Sequence, residues 1–484
     1  MSIIKSAAEV LGTPCRGEGR SRLQHFGKLI FFASILAVTS LCVVSICTVS
    51  MVNLASAAGD KCELAARGYA GFGYRDLTSK DLDSLLISSP SGVLVNLVVP
   101  GSPADSAGLK TGDVLKVYDG ENISDSSNLL DAIRSHHSGD AITLDVLRRG
   151  KPVRLGLTLG TAPRESAGDL DIEYTCFESA GTKLRAVITS PAGSAGMPLP
   201  ALLMISALGS PRFTPTSSFS MTSEIAYAAA RKGFRVMRFE LRGYGDSEGD
   251  DYRTTDFNAE VADNLAAFDY LAGRSDVAGT RVFVFGHSTG GMVGSLVAGQ
   301  RPCAGFITSC TVGRTFYERS LETLRLQSEL GGDSPAKTDE KLKDYMNLMT
   351  SAARGDSLQT ILLLNPELGK YFNSDGRIMD DRTLDYWREQ LNLNLADAYG
   401  KISEPVLIVY CASDFLTQQA CHEHIRDVLV ASGNKDVTLE IVPDADHGYA
   451  FAKDKRDAFA NYRKRNREGN PDPINRITAW LLSH

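Results

Sequence analysis

The sequence predicts an α/β fold, in which a mostly parallel β-sheet carries helices on both faces and a helical cap, preceded by a small α+β domain. From Pro200 onward, short apolar segments typical of strands alternate with helical segments, which indicates a parallel sheet. Residues 281–298 have the pattern of a buried strand, a glycine-rich turn and a helix. Residues 66–160 instead contain short strands bounded by turn residues, with only two short helical stretches.

Length and composition fit a globular protein of two or three domains. The chain has 484 residues, of which 43% are hydrophobic and 23% are charged. A net charge of -7 gives no basis for nucleic-acid binding. Six of the nine cysteines follow the N-terminal apolar run, and Cys303 with Cys310 and Cys411 with Cys421 are candidate disulfide pairs. Free thiols that fill core space are the equally weighted alternative.

The N-terminal segment has the organisation of an export signal. Residues 1–28 are polar and positively charged, and residues 29–54 form an uncharged apolar run that ends in the small residues 55–58. This order is typical of a signal peptide, although the run is also long enough to span a bilayer. We expect residues 1–58 to be a signal peptide or a membrane anchor. Both alternatives predict an exported protein, periplasmic or extracellular, with possible membrane association through residues 29–54.

Residues 66–160 resemble a PDZ domain of the kind found in bacterial exported serine proteases. The resemblance is carried by RGYAGF at residues 67–72, by GSPADSAGLKTGDVL at residues 101–115 and by Asp119-Gly120. It implies that the backbone N–H groups of one loop bind the terminal carboxylate of a peptide that adds to a sheet edge. By this resemblance, the peptide-binding loop consists of Tyr69, Ala70, Gly71 and Phe72, with Ala70 where the family usually has leucine. A domain that serves only docking or rigidity is the alternative.

The remaining chain is interpreted as a linker and a large catalytic domain. Pro163 and Gly168 indicate a linker at residues 161–179, and alternating residues on both sides of residue 180 indicate a hairpin. The large domain is expected at residues 180–484. Within it, residues 315–399 are helical, charged and without strand signals, so we expect them to form a helical cap between two strands of the sheet.

The glycine-rich turn at residues 286–290 has the sequence G-x-S-x-G with Ser288 at its centre. Small residues around a serine let the backbone turn sharply between strand and helix, which exposes the hydroxyl at the edge of the sheet. The following helix directs its N-terminal amides at charge that develops there. Ser288 is therefore the predicted nucleophile, and a structural glycine-serine turn is the alternative.

A serine nucleophile needs a base and an acid that orients this base. His447, in a loop after a strand, is the predicted base, and Asp414, just past the end of the strand at residues 406–410, is the predicted acid. The nearby Asp444 and Asp446 are expected to shape the turn. The Cys-His-Glu-His sequence at residues 421–424 has a spacing that suits metal binding, but no second ligand cluster accompanies it. A solvated helix face is the expected role there, and no metal is predicted.

Residues 180–484 resemble α/β-hydrolases related to monoacylglycerol lipases and serine aminopeptidases. The resemblance is carried by FELRGYGDSEG at residues 239–249, by GHSTGG at residues 286–291, by EPVLIV at residues 404–409, and by the order Ser288, Asp414, His447. It implies the α/β-hydrolase fold, catalysis without a cofactor, and an oxyanion hole formed by the amides of Leu208 and Thr289. The family usually has His-Gly in the oxyanion loop, where this chain has SALG at residues 206–209.

Together these features predict an exported serine hydrolase that cleaves a carboxylic ester or a related acyl bond through an acyl-enzyme. Its expected partners are a small-molecule acyl substrate and a protein C-terminus held by the PDZ domain. One alternative is a serine peptidase that acts on polypeptides captured by the PDZ domain. A further alternative is an inactive scaffold that only binds.

Overall fold

A computed structural model describes most of the chain from Glu63 to the C-terminus. The described residues are 63–78, 80–82, 91–205, 220–373, 376–378, 381–462, 464 and 467–484. The predicted signal or anchor at 1–58, its apolar run at 29–54, and Leu208 lie outside these ranges. None of the helices within the described ranges combines the length and the apolar character needed to cross a lipid bilayer.

The small domain is built on one antiparallel sheet, in the order β1-β2-β3-β5-β6 with β4 paired to β3. Its strands are β1 (Phe72–Asp76), β2 (Val93–Val98), β3 (Val114–Tyr118), β4 (Glu121–Asn122), β5 (Ala141–Arg148) and β6 (Lys151–Thr158). Alternate residues of β5, such as Ile142 and Leu144, are buried in the core while their neighbours face outward. Among the described residues β1 pairs only with β2, so β1 has an open edge.

Helices α1 (Pro103–Ser106) and α2 (Ser126–Arg134) also belong to the small domain. The side chain of Asp125 caps α2 by accepting a hydrogen bond from the amide of Asn128 at 2.9 Å. Leu129 and Ala132 place the apolar face of α2 in the core of the domain.

The large domain contains an eight-stranded sheet in the order β14-β13-β12-β11-β9-β10-β8-β7. Its strands are β7 (Leu170–Ser179), β8 (Thr182–Pro191), β9 (Leu199–Ile205), β10 (Arg235–Phe239), β11 (Val277–His287), β12 (Gly305–Ser309), β13 (Val406–Cys411) and β14 (Val437–Val442). Strands β9 to β14 are parallel, and the hairpin β7–β8 continues the sheet in antiparallel pairing. The central strands are buried on both faces, which explains their uninterrupted runs of apolar residues.

The expected linker at residues 161–179 is too long. Strand β7 begins at Leu170 and pairs with β8 along its whole length, so residues 170–179 belong to the large sheet. Pro163 and Gly168 are turn signals for the segment before the strand only, whereas the alternation that follows them belongs to the hairpin.

Helices cover both faces of the large sheet and form the segment between β12 and β13. Outside that segment they are α3 (Met221–Arg231), α4 (Phe257–Ala272), α5 (Thr289–Ala298), α11 (Gln419–Ala431), α12 (Lys455–Asn461) and α13 (Asp472–Ser483). The segment between β12 and β13 holds α6 (Phe316–Leu330), α7 (Pro335–Arg354), α8 (Leu358–Leu364), α9 (Leu384–Leu391), α10 (Leu395–Gly400) and a 3-10 helix at Pro366–Tyr371. Trp387 and Phe316 from this segment join the apolar core on one face of the sheet.

The two disulfide pairs suggested by the sequence do not form, because Cys303, Cys310, Cys411 and Cys421 are all free and buried. Cys303 precedes the five-residue strand β12, and Cys310 follows it. A strand rises about 3.3 Å per residue, so the Cα atoms of these two cysteines lie farther apart than the limit of about 7 Å for a disulfide. Cys411 lies beside Cys310 instead of Cys421. These four thiols therefore fill core space, while Cys176 is disulfide-bonded.

Candidate active site

The three predicted catalytic residues follow three parallel strands of the large sheet. Ser288 follows β11, Asp414 lies in the loop after β13, and His447 lies in the loop after β14. Because these strands run in the same direction, their carboxyl ends and the loops after them meet at one edge of the sheet.

Ser288 occupies a sharp turn between β11 and α5. Its backbone has φ 55° and ψ −127°, a conformation that costs a non-glycine residue free energy and that the surrounding structure must enforce. Gly286 makes the turn possible, since a Cβ atom there would lie 2.2 Å from the carbonyl oxygen of Gly290. Thr289 is the first residue of α5, at the helix end where backbone N–H groups point away from the helix.

The backbone of Ser288 is held on both sides, by the last residue of β12 and by the loop after it. The amide of Ser288 donates to the carbonyl of Ser309 at 2.9 Å, and the hydroxyl of Thr311 donates to the carbonyl of Ser288 at 2.7 Å. Gly291 lets α5 approach this loop, because a Cβ atom there would lie 2.3 Å from the Thr311 hydroxyl. These contacts supply the constraint that the strained turn requires.

Asp414 and His447 form a buried hydrogen-bonded pair. The distance between His447 Nδ1 and Asp414 Oδ2 is 2.8 Å, and 0% of Asp414 and 5% of His447 are exposed. The carboxylate also accepts hydrogen bonds from the amides of Leu416 at 2.6 Å and Thr417 at 3.0 Å, and from the Thr417 hydroxyl at 2.5 Å. Four donors thus converge on one carboxylate, which fixes its position.

The surroundings of Asp414 keep it ionised. Burial alone would raise the pKa of Asp414, but the charge of His447 and the hydrogen bonds from His447, Thr417 and Leu416 outweigh it and hold this pKa well below its ordinary value. An ionised carboxylate accepts hydrogen bonds only, so the proton of neutral His447 lies on Nδ1 and Nε2 is left as a base.

Cys310, Asp414 and His447 form a cluster that has few free ligand atoms for a metal ion. Cys310 Sγ, a carboxylate oxygen of Asp414 and a ring nitrogen of His447 lie within 4.8 Å of one another. The carboxylate offers about four lone-pair sites, and four protein donors already occupy them. The arrangement therefore suits orientation of the histidine better than metal coordination.

His287 supports His447, a role that its sequence position did not indicate. His287 is next to the nucleophile in the sequence, and its ring lies 4.7 Å from the His447 ring. Burial, and then the charge of His447, lower the pKa of His287 well below its ordinary value. His287 is therefore neutral and positions the loop of His447.

His422 is buried, so the expected solvated helix face is wrong for this residue. Its Nδ1 donates to the Gln418 carbonyl at 2.9 Å, and its Nε2 accepts from the amide of Thr311 at 3.0 Å. Burial lowers the pKa of His422 to about 4, so the ring is neutral at pH 7. His422 thus anchors Thr311, which in turn binds the carbonyl of Ser288. The contact between His422 and Thr311 joins residues 111 positions apart, and no local sequence pattern signals it.

Asp446 has the turn-shaping role expected for it, while Asp444 is exposed. The Asp446 carboxylate accepts hydrogen bonds from the amides of Gly448 at 2.9 Å and Ala450 at 3.0 Å, and it forms an ion pair with Arg467. It therefore holds the loop on which His447 lies.

A cavity of about 820 Å³ lies beside the Asp414 loop. Phe415 and Leu416 line it from that loop, and Leu324 and Gln327 line it from α6. Neither Ser288 nor His447 lines this cavity, so we do not expect the reacting group of a substrate to bind in it.

The predicted peptide-binding loop lies at the start of β1. Tyr69 pairs with Gly160, and Ala70, Gly71 and Phe72 lead into the strand. Gly71 has φ 82°, and a Cβ atom there would lie 2.2 Å from Cβ of Ser102. The four residues line a cavity of about 310 Å³.

Comparison with known proteins identifies the small domain. A model of the PDZ domain matches residues 68–159. Two relatives named as probable periplasmic DegP-like serine endoproteases match the chain in the PDZ region. The one from Hahella chejuensis is 33% identical over 102 residues, 21% of this chain and 22% of the relative. The one from Chlamydia pneumoniae is 33% identical over 99 residues, 20% of each chain. The chain thus spans about a fifth of the length of these relatives.

Solved structures of two esterases are similar to the chain. Est1E from Butyrivibrio proteoclasticus has a TM-score of 0.40 and 15% identity, covering 64% of this chain and 99% of its own. The Pyrococcus furiosus esterase PF2001 has a TM-score of 0.41 and 13% identity, covering 66% of this chain and 97% of its own. Both similarities are remote, and neither bears on the substrate of this chain.

The large domain is identified by its match to a whole family. A model of the alpha/beta hydrolase family matches residues 202–462, which include part of β9, all of β10 to β14 and the loops that carry Ser288, Asp414 and His447. This match covers more than half of the 484 residues. The chain is therefore a member of the alpha/beta hydrolase family that also carries a PDZ domain.

Proposed function

We propose that this protein is a serine hydrolase that cleaves a carboxylic ester or a related acyl bond through an acyl-enzyme. The observation that supports it most is the buried hydrogen bond of 2.8 Å between His447 and Asp414, beside the strained turn that holds Ser288. A histidine held in this tautomer by a carboxylate can take a proton at Nε2 and return it to a leaving group, as the proposed mechanism requires.

In the proposed mechanism, Ser288 Oγ attacks the acyl carbon while His447 Nε2 takes its proton. The positive charge that forms on the imidazole is stabilised by Asp414, which stays ionised. The oxyanion is bound by the amide of Thr289, assisted by the N-terminal end of α5, and by the amide of Leu208. His447 then protonates the departing alcohol, and water attacks the acyl-enzyme by the same route in reverse.

An ester is the first substrate class because an alcohol leaves more readily than an amine and demands less of the acid. The second candidate is a peptidase, which the PDZ domain favours, since such domains bind polypeptide ends rather than small esters. In either case we propose that the loop Tyr69 to Phe72 docks a protein C-terminus. We further propose that the protein is exported, on the basis of its N-terminal segment.

Hydrolysis of p-nitrophenyl acetate by the purified protein and its Ser288→Ala variant tests the first candidate. The variant should lose at least about a thousandfold in kcat, because loss of the nucleophile leaves only binding and oxyanion stabilisation. Ser295→Ala is the matched control, a buried serine on α5 that bonds only to the carbonyl of Met292 within its own helix. Equal turnover by all three proteins would contradict the assignment of Ser288.

Incubation with an unfolded polypeptide such as casein separates the two candidates. New peptide termini that depend on Ser288 would favour the peptidase, whereas ester turnover without new termini would favour the esterase. Folded protein without either activity would favour the inactive scaffold.

A further inference from the structure

A groove in the PDZ domain is completed by residues of the hydrolase domain. The cavity of about 310 Å³ lies between β1 and α2, with Phe72 and Tyr74 on one side and Leu130 and Ile133 on the other. The loop after β10 in the hydrolase domain also lines it, through Gly243, Tyr244, Gly245 and Tyr252. The groove is thus a composite of both domains.

The same hydrolase loop binds both walls of this groove. On one wall, the amide of Arg67 donates to Asp246 Oδ1 at 2.9 Å, at the start of the peptide-binding loop. On the other wall, Arg134 at the end of α2 forms an ion pair of 2.5 Å with Asp251. Residues 246–251 of the hydrolase domain thus contact both walls of the groove.

Arg253 forms a second link between α2 and the hydrolase loop. It is 1% exposed, and its guanidinium pairs with Asp131 of α2 and with Asp251, and donates to the Ser127 hydroxyl at 2.7 Å. Asp381, from the segment before α9, lies 3.3 Å away. A buried cation that loses its carboxylate partners is left as an uncompensated buried charge, so these contacts favour an arrangement in which α2 and the hydrolase loop stay together.

The loop itself is tightly folded. A Cβ atom on Gly243 would lie 1.6 Å from the carbonyl oxygen of Asp250, and one on Gly245 would lie 2.1 Å from the Glu240 carboxylate. That carboxylate accepts a hydrogen bond from the amide of Asp246 at 2.6 Å. The loop is thus a pre-formed wall rather than a segment that must order when a ligand binds.

We propose that residues 243–253 of the hydrolase domain form the outer wall of the PDZ groove, so that a bound polypeptide C-terminus is recognised by both domains. This rests on the proposed docking role of the PDZ domain. The open edge of β1 offers backbone groups to an added strand. Among the described residues, the amides of Ala70 and Gly71 donate no hydrogen bond, which leaves them for a terminal carboxylate.

The side chains that line the PDZ groove determine which C-terminal residue of a polypeptide it can bind. Tyr244 and Tyr252 pack edge to face with ring centroids 5.2 Å apart, and Phe72, Leu130 and Ile133 complete an apolar and aromatic lining. A cavity of about 310 Å³ lies at the small end of ligand pockets, so it holds a terminal side chain rather than a folded partner. The occupant is therefore a flexible C-terminus that ends in an aromatic or large aliphatic residue.

Binding of labelled peptides to the full-length protein tests this inference. The probes are fluorescein-labelled ten-residue peptides with a Gly-Ser spacer that end in Ala-Ala-Phe, once with a free carboxylate and once amidated. Wild type should bind the free acid at least about tenfold more tightly than the amide, and Tyr244→Ala should weaken the free acid by about tenfold. Tyr244→Phe keeps the ring and should bind like wild type.

Tyr270→Ala is the matched control, since Tyr270 is a half-buried tyrosine on α4 that contacts Arg274 and Thr175 and does not line the groove. Thermal unfolding of each variant verifies its fold. Hydrogen exchange on wild type with the free-acid peptide requires no variant at all. It should protect amides in residues 68–74 and also in residues 243–252.

These measurements test the composite groove and the docking role of the PDZ domain separately. Protection at 68–74 alone, together with wild-type affinity in Tyr244→Ala, would overturn the composite groove and leave the docking role intact. No preference of wild type for the free acid over the amide would overturn the docking role, and the composite groove with it.

Discussion

Replacement of Asp414 by asparagine tests the proposed charge and tautomer of the site with little change of shape. The amide oxygen can accept the amides of Leu416 and Thr417, as Oδ1 does at 2.6 and 3.0 Å. The NH2 group then takes the place of Oδ2 and faces His447 Nδ1, which lies 2.8 Å from that position. Two N–H donors cannot face each other, so His447 must move its proton to Nε2, where it cannot act as a base.

The expected loss in kcat for Asp414→Asn is about 10⁴-fold, which corresponds to about 5 kcal/mol of transition-state stabilisation. The assay is p-nitrophenyl acetate hydrolysis at pH 7 to 8, with unfolding in urea measured alongside. Asp444→Asn is the matched control, because Asp444 is exposed, has φ 52°, which asparagine tolerates, and lies three residues from His447. This control should stay within about twofold of wild type. Asp414→Asn activity within about tenfold of wild type would contradict the proposed role of Asp414 in fixing the tautomer of His447.

Three further predictions concern the support of the site. His422 has a pKa of about 4 in the folded protein and about 6.5 when unfolded, so stability is fully present above pH 6.5 and falls as the pH drops towards 4. Urea unfolding between pH 4 and 7.5 should show wild type losing about 3 kcal/mol more than His422→Gln, and parallel curves would contradict this. Thr311→Val removes one of the two donors to the Ser288 carbonyl and leaves the Gly291 amide at 3.0 Å. It should lower kcat by about fivefold at unchanged circular dichroism, since one hydrogen bond contributes about 1 kcal/mol; unchanged kcat would mean that this contact does not hold the turn. Gly291→Ala should cost about 1–3 kcal/mol of stability through overlap with Thr311, whereas Gly168→Ala, where no atom lies within 4 Å, should cost less than about 0.5 kcal/mol; equal unfolding midpoints would contradict the packing argument.

The fold was predictable because its signals are local. Strands buried on both faces leave uninterrupted apolar runs, as at β13, and the small residues around Ser288 mark a turn that few other sequences can adopt. The positions of Asp414 and His447 after their strands follow from the order of elements in the chain. The resemblance to alpha/beta hydrolases and PDZ domains also rested on such contiguous motifs.

The supporting contacts were not predictable because they join distant parts of the chain. His422 reaches Thr311 across 111 positions, and Asp246 reaches the Arg67 amide across 179 positions. The predicted linker was too long because Pro163 and Gly168 indicate an irregular segment but do not show that a strand begins at Leu170. The predicted pairing of Cys303 with Cys310 was wrong because the number of residues between two cysteines does not show that a strand separates them.

In the proposed mechanism, Ser288 is a nucleophile that His447 activates. Labelling of the purified protein with a fluorophosphonate, followed by peptide mass spectrometry, tests it without knowledge of the substrate. We predict a single labelled site at Ser288, no label in Ser288→Ala, and labelling at least about a hundredfold slower in His447→Ala. Folded wild-type protein that takes up no label, or label on a residue other than Ser288, would contradict the assignment.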